Sequence, residues 1–284
     1  MLEIKTIGVC GAGSMGAGIA QVFAQAGYPV FLFEINESAL AKAKNGIEKN
    51  LSQAVEKGKL TEAQKAKALA NISYEKNIAN IKADLIIEAI VEKIDIKKEL
   101  FAMLAANNSN ETILATNTSS LSVTEIAQDI SNPSRVAGLH FFNPAHLMNL
   151  VEVIRGAETS EATVNTLKNL CEKIGKVAVV SKDSPGFIVN RVARHYYVES
   201  LKLLEDGVAQ KETIDTLLES AGFKMGAFKL MDFVGHDINF AVTTSLFQAF
   251  HNEPRFRPSR IQQQLVLSKN LGRKTGKGFY DYNG

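Results

Sequence analysis

The sequence predicts an α/β architecture: a doubly wound sheet carrying a helical insertion, followed by an all-α C-terminal domain. Three observations lead there. Over the first 180 residues short apolar runs alternate with helical patterns; the first run ends in G-x-G-x-x-G; and after SKDSPGF (181–187) only helical patterns follow. Strand–helix alternation marks a largely parallel sheet covered by helices on both faces. The change of character places a boundary near residue 184, giving domains 1–184 and 185–284.

KTIGVCG (5–11) is the first strand candidate, and a helix pattern runs over 14–26. Between them stands GAGSMG (11–16). Gly11 allows the tight turn, Gly13 lets the backbone approach a pyrophosphate, and Gly16 permits close helix–strand packing. Ser14 and Met15 occupy the variable positions of the same turn, at a helix N-terminus suited to an anion. PVFLFEI (29–35) is the second strand, and Glu34 closes it 18 residues after Gly16. A carboxylate there accepts hydrogen bonds from a ribose and repels a 2′-phosphate, and no Arg stands nearby, so NAD is favoured over NADP. The connection from 36 to 82 is longer than one crossover needs. It is expected to hold two helices over 37–71, broken near KGKLTE (57–62), that project from the sheet.

The remaining strand candidates are ADLIIEAI (83–90), TILATN (112–117), RVAGLHFF (135–142), NLVEVI (149–154) and KVAVVS (176–181), with helices over 94–107 and 122–130. ATNTSSLS (115–122) follows a strand at the carboxyl edge, where ligands bind in such sheets. Its hydroxyl and amide groups suit ligand contact and ordinary helix capping by Ser119, Ser120 or Ser122 equally well. Beyond the boundary, Ser184 and Pro185 open a helical stretch. Helices are expected over 186–205, 211–221, 236–250 and 258–270.

Lys plus Arg is 32 against 30 for Asp plus Glu, a net charge of +2, which argues against a nucleic-acid partner. Cys10 and Cys171 stand alone, with neither disulfide framework nor metal spacing, as in a reducing compartment. No stretch of about 20 apolar residues suggests a membrane span. The opening residues enter a strand-like run without a secretory or Arg-rich leader pattern. Together these predict a cytoplasmic protein with no membrane partner and no bound metal.

GLHFFNPAHLMNLVEVI (138–154) sets His140, Asn143 and Glu152 in an otherwise apolar run. Glu152 alternates with Val151 and Val153, so it points away from their face. A hairpin through Asn143-Pro144 would bring His140 and Glu152 together. A carboxylate orients an imidazole and stabilises the imidazolium formed when it takes a hydroxyl proton. The bland alternative is a satisfied core histidine and an edge-facing carboxylate. His146, His195, His236 and His251 show no pairing pattern. Asn190, in FIVNRV, is either a core amide or a substrate-facing donor.

GAGSMG, NTSSL, GLHFFNP, LVEVI, DSPGFIVNR and GRKTGKGFY, in this order and over essentially the whole chain, resemble the short-chain 3-hydroxyacyl-CoA dehydrogenase family, nearest to its bacterial members acting on 3-hydroxybutyryl-CoA. The resemblance implies a Rossmann-type NAD domain and a helical C-terminal domain that forms a homodimer. It implies reversible hydride transfer between NAD(H) and C3 of a short-chain acyl-CoA such as acetoacetyl-CoA or 3-hydroxybutyryl-CoA. His140 would be the acid/base and Glu152 its partner, Ser119 and Asn190 would contact the acyl oxygen, and Asn143 would line the site. Glu92, Lys97, Asn117, Ser119, Asn143 and Lys274 match cofactor-contacting positions. Asn50 and Lys57 fall where the helical insertion meets coenzyme A. AHLMN (145–149) departs from the commoner form of its loop. A non-catalytic, crystallin-like relative and a dehydrogenase of a small free hydroxy acid are the rival readings.

Overall fold

The computed structural model describes residues 3–283. The first unit, which ends at Ser184, is built on an eight-stranded sheet in the order β3-β2-β1-β4-β5-β6-β7-β8. Its strands are β1 (Ile7–Cys10), β2 (Val30–Phe33), β3 (Ile72–Glu75), β4 (Leu85–Glu88), β5 (Ile113–Thr116), β6 (Val136–Phe141), β7 (Leu150–Arg155) and β8 (Val177–Lys182). Its helices are α1 (Ser14–Gln25), α2 (Glu37–Glu56), α3 (Glu62–Ala70), α4 (Ile94–Asn107), α5 (Val123–Ala127) and α6 (Glu161–Lys173). All strand neighbours are parallel except β6 and β7.

The apolar runs are near-continuous because β1, β4 and β5 are buried on both faces. Ile7, Val9, Leu85 and Ile87 face one core with Ile19 and Phe23 of α1 and Leu167 and Leu170 of α6. Cys10, Ile86 and Leu114 face the other with Leu100, Phe101 and Leu104 of α4. Strand order reverses at β1, between β2 and β4. Such a switch point leaves a crevice at the carboxyl ends of the strands.

The long connection after β2 departs from expectation in two ways. Asn36 caps α2, a capping box of Thr61 and Gln64 opens α3, and both helices lie where the periodicity put them. They do not simply project: Leu40, Ala43, Ile47 and Leu51 of α2 are buried in the core shared with α1. The segment also holds β3, which extends the sheet beside β2. ISYE is short, and only Ile72 is buried, so its alternation is too weak to read as a strand.

The second unit, from Pro185 onward, contains α7 (Val189–Glu205), α8 (Lys211–Ser220), α9 (Ala227–Val234), α10 (His236–Ala249) and α11 (Arg260–Leu267). α7 starts three residues later than its pattern, because Gly186 and Phe187 hold φ of +72° and +48°, outside the helical region. α9 falls between the expected helices 211–221 and 236–250, where no helix was expected. It is short, and Gly235 (φ +101°) separates it from α10. Tyr197, Leu201, Ile214, Phe228 and Met231 form the apolar core. A polar set is buried in the same unit: Arg194, Asp215, Asp232, His236, Asn239, Thr243 and Gln262.

Candidate active site

The glycine loop spans the turn from β1 to α1. Gly11 has φ +101°, and a Cβ there would stand 2.6 Å from the Ala89 carbonyl oxygen. A Cβ on Gly16 would lie 1.8 Å from the Gly11 oxygen, so α1 is pressed onto the loop. Gly13 is different. Its Cβ would meet nothing within 4 Å. Packing does not require glycine there, and open space lies where a ligand would approach. Gly13 is also the N-cap of α1, with no side-chain cap on the first-turn amides. The Glu34 carboxylate accepts from the backbone N–H of Ala12 (3.1 Å) and of Asn36 (3.0 Å). This anchors it beside the loop while each oxygen keeps acceptor capacity. These features fit a dinucleotide.

A cavity of about 430 Å³ adjoins the loop, lined by Ala12, Gly13 and Ser14, by Lys42, Gly46 and Asn50 of α2, and by Pro144 and His146. Asn50 Nδ2 donates to Gln21 Oε1 at 3.2 Å. Ser14 Oγ lies 3.5 Å from Asn143 Oδ1. Met15 packs against the core rather than lining the cavity. Lys57, at the exposed C-terminal end of α2, is absent from the lining. Sequence reasoning missed Lys42 and passed over His146. The small-residue face Ala39, Ala43, Gly46 at helical spacing was the available signal.

Beyond β4 and β5 a buried ionic network fixes the NTSSL loop. Lys97 is 1% exposed, with Nζ 2.5 Å from Glu88 Oε1 and 3.1 Å from Glu92 Oε2. Thr116 Oγ1 donates to Glu88 Oε2 at 2.7 Å. The Thr118 hydroxyl donates to Glu92 Oε1, which also accepts from the Ser119 N–H at 3.1 Å. Lys97 is therefore the enclosed counter-ion of two carboxylates, and Glu92 is the member that reaches the surface. Asn117 Oδ1 accepts from Phe141 N–H at 2.8 Å and its own N–H donates to the Glu88 carbonyl. The loop is thus tied to the end of β6. Ser122 caps α5 through the Glu125 N–H. Ser119 is half-buried.

The antiparallel register of β6 and β7 sets His140 opposite Glu152. His140 Nδ1 lies 2.8 Å from Glu152 Oε2; the histidine is 6% exposed and the glutamate fully buried. The Phe142 ring stands 4.5 Å from the imidazole. In the connecting loop the Asn143–Pro144 peptide is cis. Lys176 Nζ donates to the carbonyls of Ala145 (2.8 Å) and Met148 (2.7 Å), and burial holds its ammonium below the usual lysine range. In the second unit, Asn190 is the half-buried second residue of α7, and Lys274 pairs with Asp237 at 2.5 Å.

Residues 6–184 match the sequence profile of the 3-hydroxyacyl-CoA dehydrogenase NAD binding domain, and residues 186–282 match that of the C-terminal domain. The chain belongs to the 3-hydroxyacyl-CoA dehydrogenase family. Its sequence is 49% identical over 284 residues to the 3-hydroxyadipyl-CoA dehydrogenase of Escherichia coli, covering 99% of this chain and 60% of that one. It is 43% identical over 279 residues to the 3-hydroxybutyryl-CoA dehydrogenase of Clostridioides difficile, covering 98% and 99%. The crystal structure of 3-hydroxybutyryl-CoA dehydrogenase from Escherichia coli superposes with a TM-score of 0.98 at 48% identity, covering all of this chain and 60% of that one. The chain thus spans less than two thirds of these Escherichia coli relatives. In the family frame, the glycine loop and Glu34 belong to the NAD binding domain, and the His140–Glu152 hairpin lies within it too.

Proposed function

We propose that this family member catalyses the reversible oxidation of a short-chain 3-hydroxyacyl-CoA to the 3-oxoacyl-CoA with NAD. Relatives' names specify both 3-hydroxybutyryl and 3-hydroxyadipyl groups, so the reading is made for the class, with 3-hydroxybutyryl-CoA among its substrates. The observation that carries it is the buried His140–Glu152 pair, in a sheet whose glycine loop fits a dinucleotide.

With Nδ1–H donating to Glu152, Nε2 of His140 is the basic atom. It takes the proton of the C3 hydroxyl in oxidation and returns it to the C3 oxygen in reduction. Glu152 orients the ring and stabilises the imidazolium. NAD, when bound, supplies the hydride acceptor for C3. Ser119 and Asn190 hold the acyl oxygen and Asn143 lines the site. The glycine loop, Glu34, Glu92, Asn117 and Lys274 serve the cofactor, with Lys97 bracing Glu92. For coenzyme A, the cavity supports Asn50 and adds Lys42, whereas nothing in the geometry favours Lys57. The working form is a cytoplasmic homodimer built on the second unit, where Val192, Phe233 and Ile238 are exposed. Among the described residues no helix is long and apolar enough to cross a membrane.

Loss of NADH absorbance with acetoacetyl-CoA, set against free acetoacetate, tests the reading. Turnover of the thioester alone, with NADH preferred to NADPH, is the expected result. Equal turnover of the free acid would favour a hydroxy-acid dehydrogenase, and none with either substrate a non-catalytic relative.

A further inference from the structure

His146 stands in AHLMN, the loop that departs from the commoner form in its family. The loop follows β6, the strand that carries His140, and it is fixed in place. Ala145 is 1% exposed, and a Cβ on Gly18 of α1 would lie 3.1 Å from the Ala145 Cβ. The N–H groups of Leu147 and Met148 both donate to the Pro144 carbonyl at 3.0 Å. Lys176 holds the carbonyls of Ala145 and Met148. His146 itself is half-buried and lines the cavity beside the glycine loop. Its imidazole makes no hydrogen bond or ion pair among the described residues, so the packing of the loop does not call for a histidine.

The charge of the cavity narrows its occupant. Its lining holds two groups able to carry positive charge, Lys42 and His146, with the Asn50 amide and the Ser14 hydroxyl, and among the described residues no carboxylate. The Lys42 ammonium likewise has no ion pair among the described residues. Burial and the nearby Lys176 ammonium hold the imidazole below the usual histidine range, so the empty site already has positive charge in excess and an anion would relieve it. Lys42 and Asn50 stand eight residues apart on α2, about 12 Å along its axis. The cavity is therefore a trough, suited to an extended anionic ligand. The glycine turn and Glu34 serve a dinucleotide from the ends of β1 and β2, which leaves the α2 side of the trough to a second phosphorylated molecule.

We propose that His146 is a specificity-determining residue that hydrogen-bonds a phosphate of coenzyme A from the β6–β7 loop, while Lys42 and Asn50 meet the same ligand from α2. The proposal rests on the dehydrogenase reading above, in which the thioester also reaches His140 at the end of the same strand. A phosphate is common to coenzyme A and NAD, and the two sources are separated by measuring both ligands.

The test compares acetoacetyl-CoA with acetoacetyl-pantetheine, which keeps the acyl group and the thiol arm but has no phosphate. Wild-type enzyme is expected to prefer the CoA thioester. In His146→Leu the ratio of the two kcat/KM values should fall roughly 3- to 10-fold, the lower end for a hydrogen bond to a charged group at a half-exposed site. The fall should come through KM for acetoacetyl-CoA, and His146→Arg should restore the ratio. Calorimetry with free coenzyme A and pantetheine, in which no chemistry occurs, should show the same selective loss. Equal losses on both thioesters would make His146 a wall of the trough or a brace for its loop, and overturn the proposal. A rise in KM for NADH in place of that for acetoacetyl-CoA would give the contact to the dinucleotide and overturn it too. Wild-type enzyme that handles both thioesters equally well overturns it with no variant to fold. If neither thioester is turned over but coenzyme A binding still depends on His146, the dehydrogenase reading falls and the contact stands.

Discussion

His140 and Glu152 sit in strands whose other buried side chains are Val, Ala, Leu, Ile and Phe, and they meet each other at 2.8 Å. If they form one proton-transfer unit, their losses will not multiply. Positioned acid–base catalysis is worth about 10²–10⁴-fold, so His140→Gln should lower kcat by that order while NADH still binds. Glu152→Gln should also lower kcat. The double variant should lose far less than the product of the single losses. Multiplicative losses in variants with native circular dichroism would show that the two act independently. The pairing was legible because alternation in LVEVI fixed which way Glu152 points and Asn-Pro marked a turn. Lys42 and Arg194 were not. A lysine in a charge-rich helix and an arginine in FIVNRVAR look the same in sequence whether they face solvent, a ligand or a core, and only packing decides.

At the scale of elements, the GRKTGKGFY segment shows a motif whose glycines serve the fold. Asp232 on α9 accepts from the Phe279 and Tyr280 N–H groups at 2.9 Å each, from the Tyr282 hydroxyl at 3.0 Å and from His236 Nε2 at 2.7 Å. A Cβ on Gly272 or Gly278 would run into Asp232 at 2.2 or 2.0 Å. Asp232 and His236 stand four residues apart, but Gly235 (φ +101°) ends α9 and precedes α10 between them, so no single helical face displays the pair in the sequence. Burial pushes the Asp232 carboxyl up, but the hydrogen bonds from His236 and the two amides outweigh that and hold it below the usual carboxylate range. A carboxylate with a depressed folded value contributes stability above its unfolded value, near pH 4, and that contribution is lost as pH falls through the folded one. Asp232→Asn should therefore cost on the order of 2 kcal/mol at pH 7. It should also flatten the fall in stability below about pH 4. Denaturant titrations at pH 7 and pH 3.5 measure both effects. An unaltered acid limb would assign that limb to other groups.

For the whole molecule, patterning shows where one core ends and the next begins, because each core must bury its own apolar faces. It does not show which of the remaining apolar surface belongs to a partner. The second unit keeps Val192, Phe233 and Ile238 at 66%, 61% and 52% exposure. They lie on α7, α9 and α10 respectively, helices that also supply much of that unit's core. Large apolar side chains left in water on several neighbouring helices are what an obligate interface would bury. On the homodimer reading, light scattering of the purified chain should give twice 30.9 kDa. Phe233→Asp combined with Ile238→Asp should shift it to the monomer mass, because two carboxylates would then have to be desolvated at the contact. The first unit supplies a control. Circular dichroism and NADH binding should survive in the double variant, since neither side chain belongs to that unit's core. A wild-type chain that scatters as a monomer would sink the homodimer. A double variant that stays dimeric would move the interface to another face.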